Sequence, residues 1–478
     1  MIFSNLYQQI TQFHENERLH EWSVVPLGNT LLWVLVLFLL QDTEFLFLLP
    51  VMFLTQQFPE RRAWIMTLGA GGLFFFKKLH QLNVDDSLWF LIDTALIVSI
   101  LYVFFKISKS FSILPRIIRN NPQIFLHLIL WFFILITLLL PENYRDDPAW
   151  PVASNLTVCL VFFAFLIWRI GFMLYSGKRG SLKQTGFVDH LIYCLPYLGA
   201  SQVPYGKGLD YLYPKRANGR LELAKIQLAG LKLLALASVW DLVLTVLDWA
   251  FFDAEAGRQP LFQLYHLQEL IELSTTQMPA MTTLWISLIV DMVYETTQLA
   301  ISGHLIIGCL RLFGFNLFRN TYKPLLAKTL IDFWNRYYYY FKELLVDFFF
   351  FPVYLSFFRN HPKWRIFAAT MASAFLGNFY YHLLQHFDTL LISGEMPSFT
   401  RFGSYLFYCF VLGIAIFISI LREQNQRGKH AAPCSTLVTI RKIAGVWLFF
   451  SILRIWDRTD SAFMADTSFF FAIFGIHF

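Results

Sequence analysis

Apolar runs long enough to cross a bilayer recur along this chain, and they constrain its fold more than any other feature. Residues 88–105, 124–140, 152–175, 224–252 and 282–312 all have this character. A spanning helix needs about 20 apolar residues, and its backbone groups must pair within the segment because the hydrocarbon offers no water. Of the 478 residues 56% are hydrophobic and only 15% charged, where a soluble domain carries roughly 25% charged. The expected fold class is therefore all-α: a polytopic integral membrane protein with roughly 10 to 12 membrane helices, some re-entrant or broken. The lipid bilayer is its first expected partner.

The loops between these runs alternate in sign. Basic stretches at 106–121, 178–183 and 359–365 oppose acidic ones at 142–149 and 252–255, with Asp388 and Glu395 in the linker 388–400. The positive-inside rule puts the basic side in the cytoplasm and accounts for the formal net charge of +6. No basic patch interleaves with a soluble fold, so nucleic-acid binding is not expected. The five cysteines are scattered, without metal-ligand spacing. The expected organisation is an amphipathic segment at 1–28, N-terminal transmembrane helices at 29–187, a core at 188–390 and C-terminal transmembrane helices at 391–478. Within the core, 188–204 is apolar but broken by Pro196, Gly199 and Pro204, which suits a re-entrant helix lined by protein. Residues 282–312 carry Asp291, Glu295, Gln298 and His304, the mark of a helix face turned to other protein or to a cavity.

The densest polar and aromatic stretch is 317–386. It contains FWNRYYYYF from Phe333 and ends in GNFYYHLLQH, with His382 and His386 on an apolar segment. Intramembrane ionisable residues are costly and mark functional sites. The series Gly314, Phe315, Asn320, Pro324, then Phe333, Trp334, Asn335 and Arg336, resembles the signature of the membrane-bound O-acyltransferases, the MBOAT family. Leu195-Pro196 with the turn at 199–204, and more loosely Gly230-Leu231-Lys232, resemble further elements of that family in the same order. Tyr338 stands where many members close the F-W-x-R-W-H motif with histidine. His382 is the best match to the family's characteristic histidine on a later apolar helix, with His386 one turn on.

The resemblance implies a tunnel through the bundle, an acyl thioester donor (acyl-CoA or acyl carrier protein) entering from the cytoplasm, and a hydroxyl acceptor on a glycan, lipid or secreted metabolite. The donor is a co-substrate, and no bound cofactor is expected. The lack of large soluble domains and of glycosylation-heavy loops points to a bacterial cytoplasmic (inner) membrane, and partner proteins of a cell-envelope modification pathway are expected. A neutral imidazole activates a hydroxyl by accepting its proton, so His382 is the expected general base, with Asn378 one turn earlier on the same face. Tyr338 is the third catalytic candidate. Trp334, Asn335, Arg336, Tyr381 and His386 are substrate-binding candidates, and Arg336 has a competing use in pairing with Asp332 at i,i+4. His382 and His386 also have metal-compatible spacing, but no Glu adjoins the first His and no Cys is near, so no metal is expected. Two other readings stay open: a transporter or flippase using the Asp291/Glu295/His304 face, and a non-catalytic relative that holds an acyl chain. His382 lies 17 residues beyond Arg365, about 25 Å at helical rise.

Overall fold

A computed structural model describes residues 12–40, 43–79, 84–139, 151–181, 185–194, 207–252, 260–274, 278–386, 399–426, 435–458 and 462–476. Among these the chain is helical or in short connections, and the only β pairing is an isolated bridge between Arg216 and Phe315. Six helices are long and apolar enough to span a membrane: Leu91–Lys109, Cys159–Arg179, Arg220–Phe252, Met281–Leu312, Phe402–Gln426 and Thr436–Trp456. A seventh arises if Glu17–Val24 and Pro26–Leu39, bent by 97° to each other, form one broken span. That bend has a local cause. A residue before proline is excluded from helical geometry, and Val25 is extended at φ −69° and ψ 144°.

The chain is thus an all-α, multi-pass membrane protein. Several of the expected segments fold as short elements within it. Residues 463–478 yield the helix Phe463–Ala472, whose 10 residues reach about 15 Å, half the hydrocarbon thickness. Residues 262–279 yield Leu267–Ser274, again too short to cross. The acidic loop 142–149, the turn 195–204, residues 388–398 of the linker and Cys434 lie outside the described residues.

Contacts divide the chain into two compact units. The first comprises Met1–Ser238, Gly303–Arg319 and Phe387–Gly394; the second comprises Val239–Ser302, Asn320–His386 and Glu395–Phe478. Residues 188–390 contribute to both.

In the first unit the span Cys159–Arg179 is the most enclosed, with 72% of its apolar window buried against 17% for Leu91–Lys109. It packs on the helices Val84–Lys109 and Pro122–Leu139. Its Arg169 donates to the carbonyl of Tyr193 at 3.0 Å, near the end of the helix Phe187–Cys194, where free carbonyls attract a cation. Gly230 sits at a close helix crossing. A Cβ there would lie 2.9 Å from the carbonyl oxygen of Gly308, so the small side chain is what lets the backbones approach. Gly314 adopts φ +88°, a left-handed conformation natural to glycine alone, and a Cβ would also meet the buried Arg62 guanidinium at 2.8 Å. Two of the glycines that carry the family resemblance therefore have backbone reasons of their own.

In the second unit the helix Leu330–Tyr337 is strongly amphipathic. Phe333 and Trp334 are buried and Asn335 is exposed. Thr329 caps it by accepting from the Asp332 N–H at 3.1 Å, and its own hydroxyl donates to Glu423 at 2.8 Å. The helix breaks at Tyr338 (φ −143°, ψ 69°), and a new helix, Tyr339–Leu345, begins at once. Such a break frees backbone groups that burial would penalise. Residues 320–322 take them up: Tyr339 N–H donates to the Asn320 carbonyl (2.9 Å), Tyr340 N–H to Asn320 Oδ1 (3.2 Å), Thr321 Oγ1 to the Tyr337 carbonyl (2.9 Å) and Tyr322 N–H to the Arg336 carbonyl (2.7 Å).

Two π-helical turns come next, Val346–Phe350 and Met371–Gly377. They pack on each other, and Gly377 admits the ring of Phe349, which a Cβ would meet at 2.6 Å. The second turn leads into the helix Asn378–Gln385, so His382 lies on a segment that is helical from Pro362 onward. A π-turn widens a helix by one residue and re-aims the side chains beyond it, and such turns are frequent at functional sites.

Candidate functional site

The candidate residues of the second unit fall into two neighbouring environments. The first surrounds His382. Its ring lies 4.6 Å from Tyr405, 5.4 Å from Tyr381 and 6.1 Å from Phe341, centroid to centroid. No carboxylate pairs with it among the described residues, and its side chain is partly accessible. Tyr381 is buried and packs edge-on against Phe341 at 4.7 Å. Asn378 is buried one turn before His382 and meets it through an intermediary: its Oδ1 accepts from the Tyr405 hydroxyl at 3.3 Å, and the Tyr405 ring covers His382. The expected Asn378–His382 link is thus made through Tyr405.

Tyr338 is buried, with its ring against Phe341 at 5.6 Å and its hydroxyl without a hydrogen-bond partner among the described residues. Burial pushes its phenol well above its ordinary value, which keeps it a neutral hydroxyl. Phe341 therefore touches both Tyr338 and His382. His386 stands at the end of the helix with its ring 5.6 Å from Phe402.

The second environment is a cavity of about 380 Å³. Its aromatic wall includes Phe333, Trp334, Tyr337, Tyr408 and Phe450, and its charged wall His266, Asp291, Glu295, Arg454, Asp457 and Arg458. Asp291 is 3% exposed and doubly held, by Arg454 Nη1 and by His266 Nδ1, both at 2.9 Å. Arg454 also reaches Glu295 at 3.8 Å. With Nδ1 protonated, His266 donates to Asp291; this hydrogen bond raises the imidazole above its ordinary value, against the opposing effect of burial. The ring is further fixed by stacking on Phe252 at 4.0 Å. Asp457 is exposed and lines the cavity; desolvation by the surrounding protein raises its carboxyl to about 6, although Arg454 pulls the other way.

Of the substrate-binding candidates, only Trp334 lines this cavity. Asn335 accepts from Lys342 at 3.2 Å, and Arg336 pairs with Asp332 at 2.6 Å, the structural use its spacing allowed. Asp291 and Glu295 belong to the cavity; His304, on the same long helix, falls in the other unit. Sequence reasoning passed over Tyr405, Tyr408, His266, Arg454 and Asp457. A signal existed for Arg454 and Asp457, charged residues closing an apolar run, and for an Asp291–Glu295 pair at i,i+4 that requires a cation.

The two environments are joined by a short aromatic path. Tyr405 covers His382 and stacks on Tyr408 at 5.4 Å, and Tyr408 faces the cavity. Neither a model of a known family nor a curated protein matches the chain.

Proposed function

We propose that this protein is a membrane-embedded O-acyltransferase that moves an acyl group from a thioester to a hydroxyl, with His382 as the general base. The observation that carries the reading is the setting of His382: a partly accessible imidazole among Phe341, Tyr381 and Tyr405, with no carboxylate beside it among the described residues to hold a proton on the ring. In the reaction, the acceptor hydroxyl gives its proton to an imidazole nitrogen while its oxygen attacks the thioester carbonyl. The C–S bond then breaks, and the departing thiolate takes the proton back. An aromatic, water-poor surrounding limits hydrolysis of the thioester. Asn378 positions the ring through Tyr405, and the Tyr338 hydroxyl is a donor for the developing oxyanion. The resemblance of 314–336 to the MBOAT signature supports the same class, with a glycan, lipid or secreted metabolite as acceptor; a bacterial inner membrane is the proposed location.

A second reading, passage of a polar solute, draws on the charged cavity of His266, Asp291, Glu295 and Arg454. Purified protein incubated with radiolabelled acyl-CoA or acyl carrier protein and an envelope extract separates the two. Transfer of label by the wild type and its loss in His382→Ala is the expected result. Absence of transfer, with solute flux across proteoliposomes, would establish the second reading instead.

A further inference from the structure

A basic basin of about 680 Å³ lies in the first unit, apart from the residues discussed above. Lys109, Arg116, Arg119, Lys178 and Arg179 line it together with Ser108 and Ser112, and no carboxylate among the described residues does. The geometry that builds it is specific. The spans Leu91–Lys109 and Cys159–Arg179 end side by side, because Gly177 lets the backbone of Ser108 approach; a Cβ there would meet the Ser108 carbonyl oxygen at 2.5 Å. Gly180, at φ +72°, closes the second helix, with Ser181 N–H bonding back to the Ser176 carbonyl at 3.1 Å. The short helix Arg116–Asn120 forms the third side and is tied on by Lys178, which donates to the Asn120 carbonyl at 3.0 Å.

Cations at helix C-termini and in cytoplasmic loops need no ligand to explain them. That accounts for Lys109, Lys178 and Arg179, the last of which pairs with Asp210 at 2.9 Å. It accounts also for Arg119, in the last turn of its short helix, but not for Arg116. Arg116 opens its helix, the end that disfavours a cation, and neither arginine makes an ion pair among the described residues. A second observation points the same way: Ser108 is 2% exposed, lines the basin, and its hydroxyl has no hydrogen-bond partner among the described residues. A third gives the source of the ligand. Ile113 and Ile117, flanking Arg116, are 82% and 83% exposed, as side chains that enter the acyl region of a bilayer would be.

We propose that this basin binds the phosphate of an anionic membrane lipid. Arg116 and Arg119 supply the planar donors suited to phosphate oxygens, Lys178 and Lys109 add charge, and Ser108 contributes a hydroxyl. Ile113 and Ile117 sit in the same leaflet as the lipid's own chains. The site is independent of the acyl-transfer reading, since it shares no residue with it.

Native mass spectrometry of the full chain in detergent tests this, with phosphatidic acid and phosphatidylcholine of matched acyl chains as probes. Wild type retains phosphatidic acid in preference to phosphatidylcholine. Arg116→Ala/Arg119→Ala weakens phosphatidic acid about thirtyfold, at the usual worth of two interfacial cations, and leaves phosphatidylcholine unchanged. Ser112→Glu, which adds an anion without removing a cation, weakens it in the same direction. The pair Arg441→Ala/Lys442→Ala, both exposed on the helix Thr436–Leu453, changes it less than about twofold. Equal retention of the two lipids, or an equal loss in the Arg441/Lys442 control, overturns the site. Displacement of phosphatidic acid by coenzyme A or inorganic phosphate would assign the basin to a soluble phosphate and overturn the lipid.

Discussion

The two environments of the second unit handle polarity in opposite ways. The cavity gathers charge and compensates it: Asp291 is held by Arg454 and His266, and Arg454 also answers Glu295. The His382 compartment carries no ion pair among its described neighbours, only rings and one amide, with Asn378 bonded to Tyr405. A compensated cluster stabilises or binds, with Asp291 and Glu295 already answered by cations. An uncompensated imidazole among rings contributes little to stability and stays neutral, with a nitrogen open to accept a hydrogen bond. Under the proposed function, stability and recognition would fall to the cavity and chemistry to His382.

Substitutions can break this contrast, and the largest effect belongs to the cavity. Arg454→Met leaves Asp291 buried without its cation and should cost about 3–5 kcal/mol. Thermal unfolding in detergent checks this. The double variant with Asp291→Asn should recover part of the loss, because the uncompensated carboxylate is what costs.

Next comes Tyr405→Phe, which strands the buried Asn378 amide oxygen and should cost about 1–3 kcal/mol by the same measurement. It should also lower acyl transfer if, as proposed, Asn378 positions His382 through that ring. An unchanged rate would detach Asn378 from the site.

The pH dependence is smaller. The Asp457 carboxyl is raised to about 6, so the folded state holds its proton more tightly than the unfolded chain does. Stability is therefore lost as pH rises between the ordinary carboxyl range and about 6. Asp457→Asn should raise the unfolding temperature at pH 8 and leave it nearly unchanged at pH 4. His266 works in the same direction from the other sign of charge: raised by Asp291, it contributes below its unfolded value and loses that contribution as pH climbs through the folded one.

The smallest effect is expected at Arg336→Ala, which removes a half-exposed i,i+4 pair with Asp332 worth about 0.3–0.5 kcal/mol. A large rise in the KM for the acyl donor would instead make Arg336 a ligand contact.

The fold class was legible because long apolar runs leave the backbone few alternatives. The Arg336–Asp332 pair and the polar face at Asp291 and Glu295 were legible from helical spacing alone. The break at Tyr338 was not. FWNRYYYYF reads as one continuous amphipathic pattern, and what interrupts it is a set of hydrogen bonds from residues 320–322. The cavity was illegible for another reason. Arg454 stands 163 residues from Asp291, so no local spacing could join them. The π-turn at Met371–Gly377 leaves no compositional trace, since its residues would suit an α-helix equally well. The role of Asn378 was half visible: its i,i+4 relation to His382 is real, but the contact passes through Tyr405, on a helix that the motif does not include.

The division of labour is tested most directly by single-turnover acyl transfer, comparing His382→Gln with Glu295→Gln in the same detergent and with the same thioester. The account predicts that His382→Gln slows the chemical step by about 10²–10⁴-fold at unchanged thermal stability, as loss of a general base should. Glu295→Gln should leave that step within about threefold while altering apparent affinity. A His382→Gln enzyme that keeps its rate, beside a Glu295→Gln enzyme that loses it, would contradict the account and move the chemistry into the charged cavity.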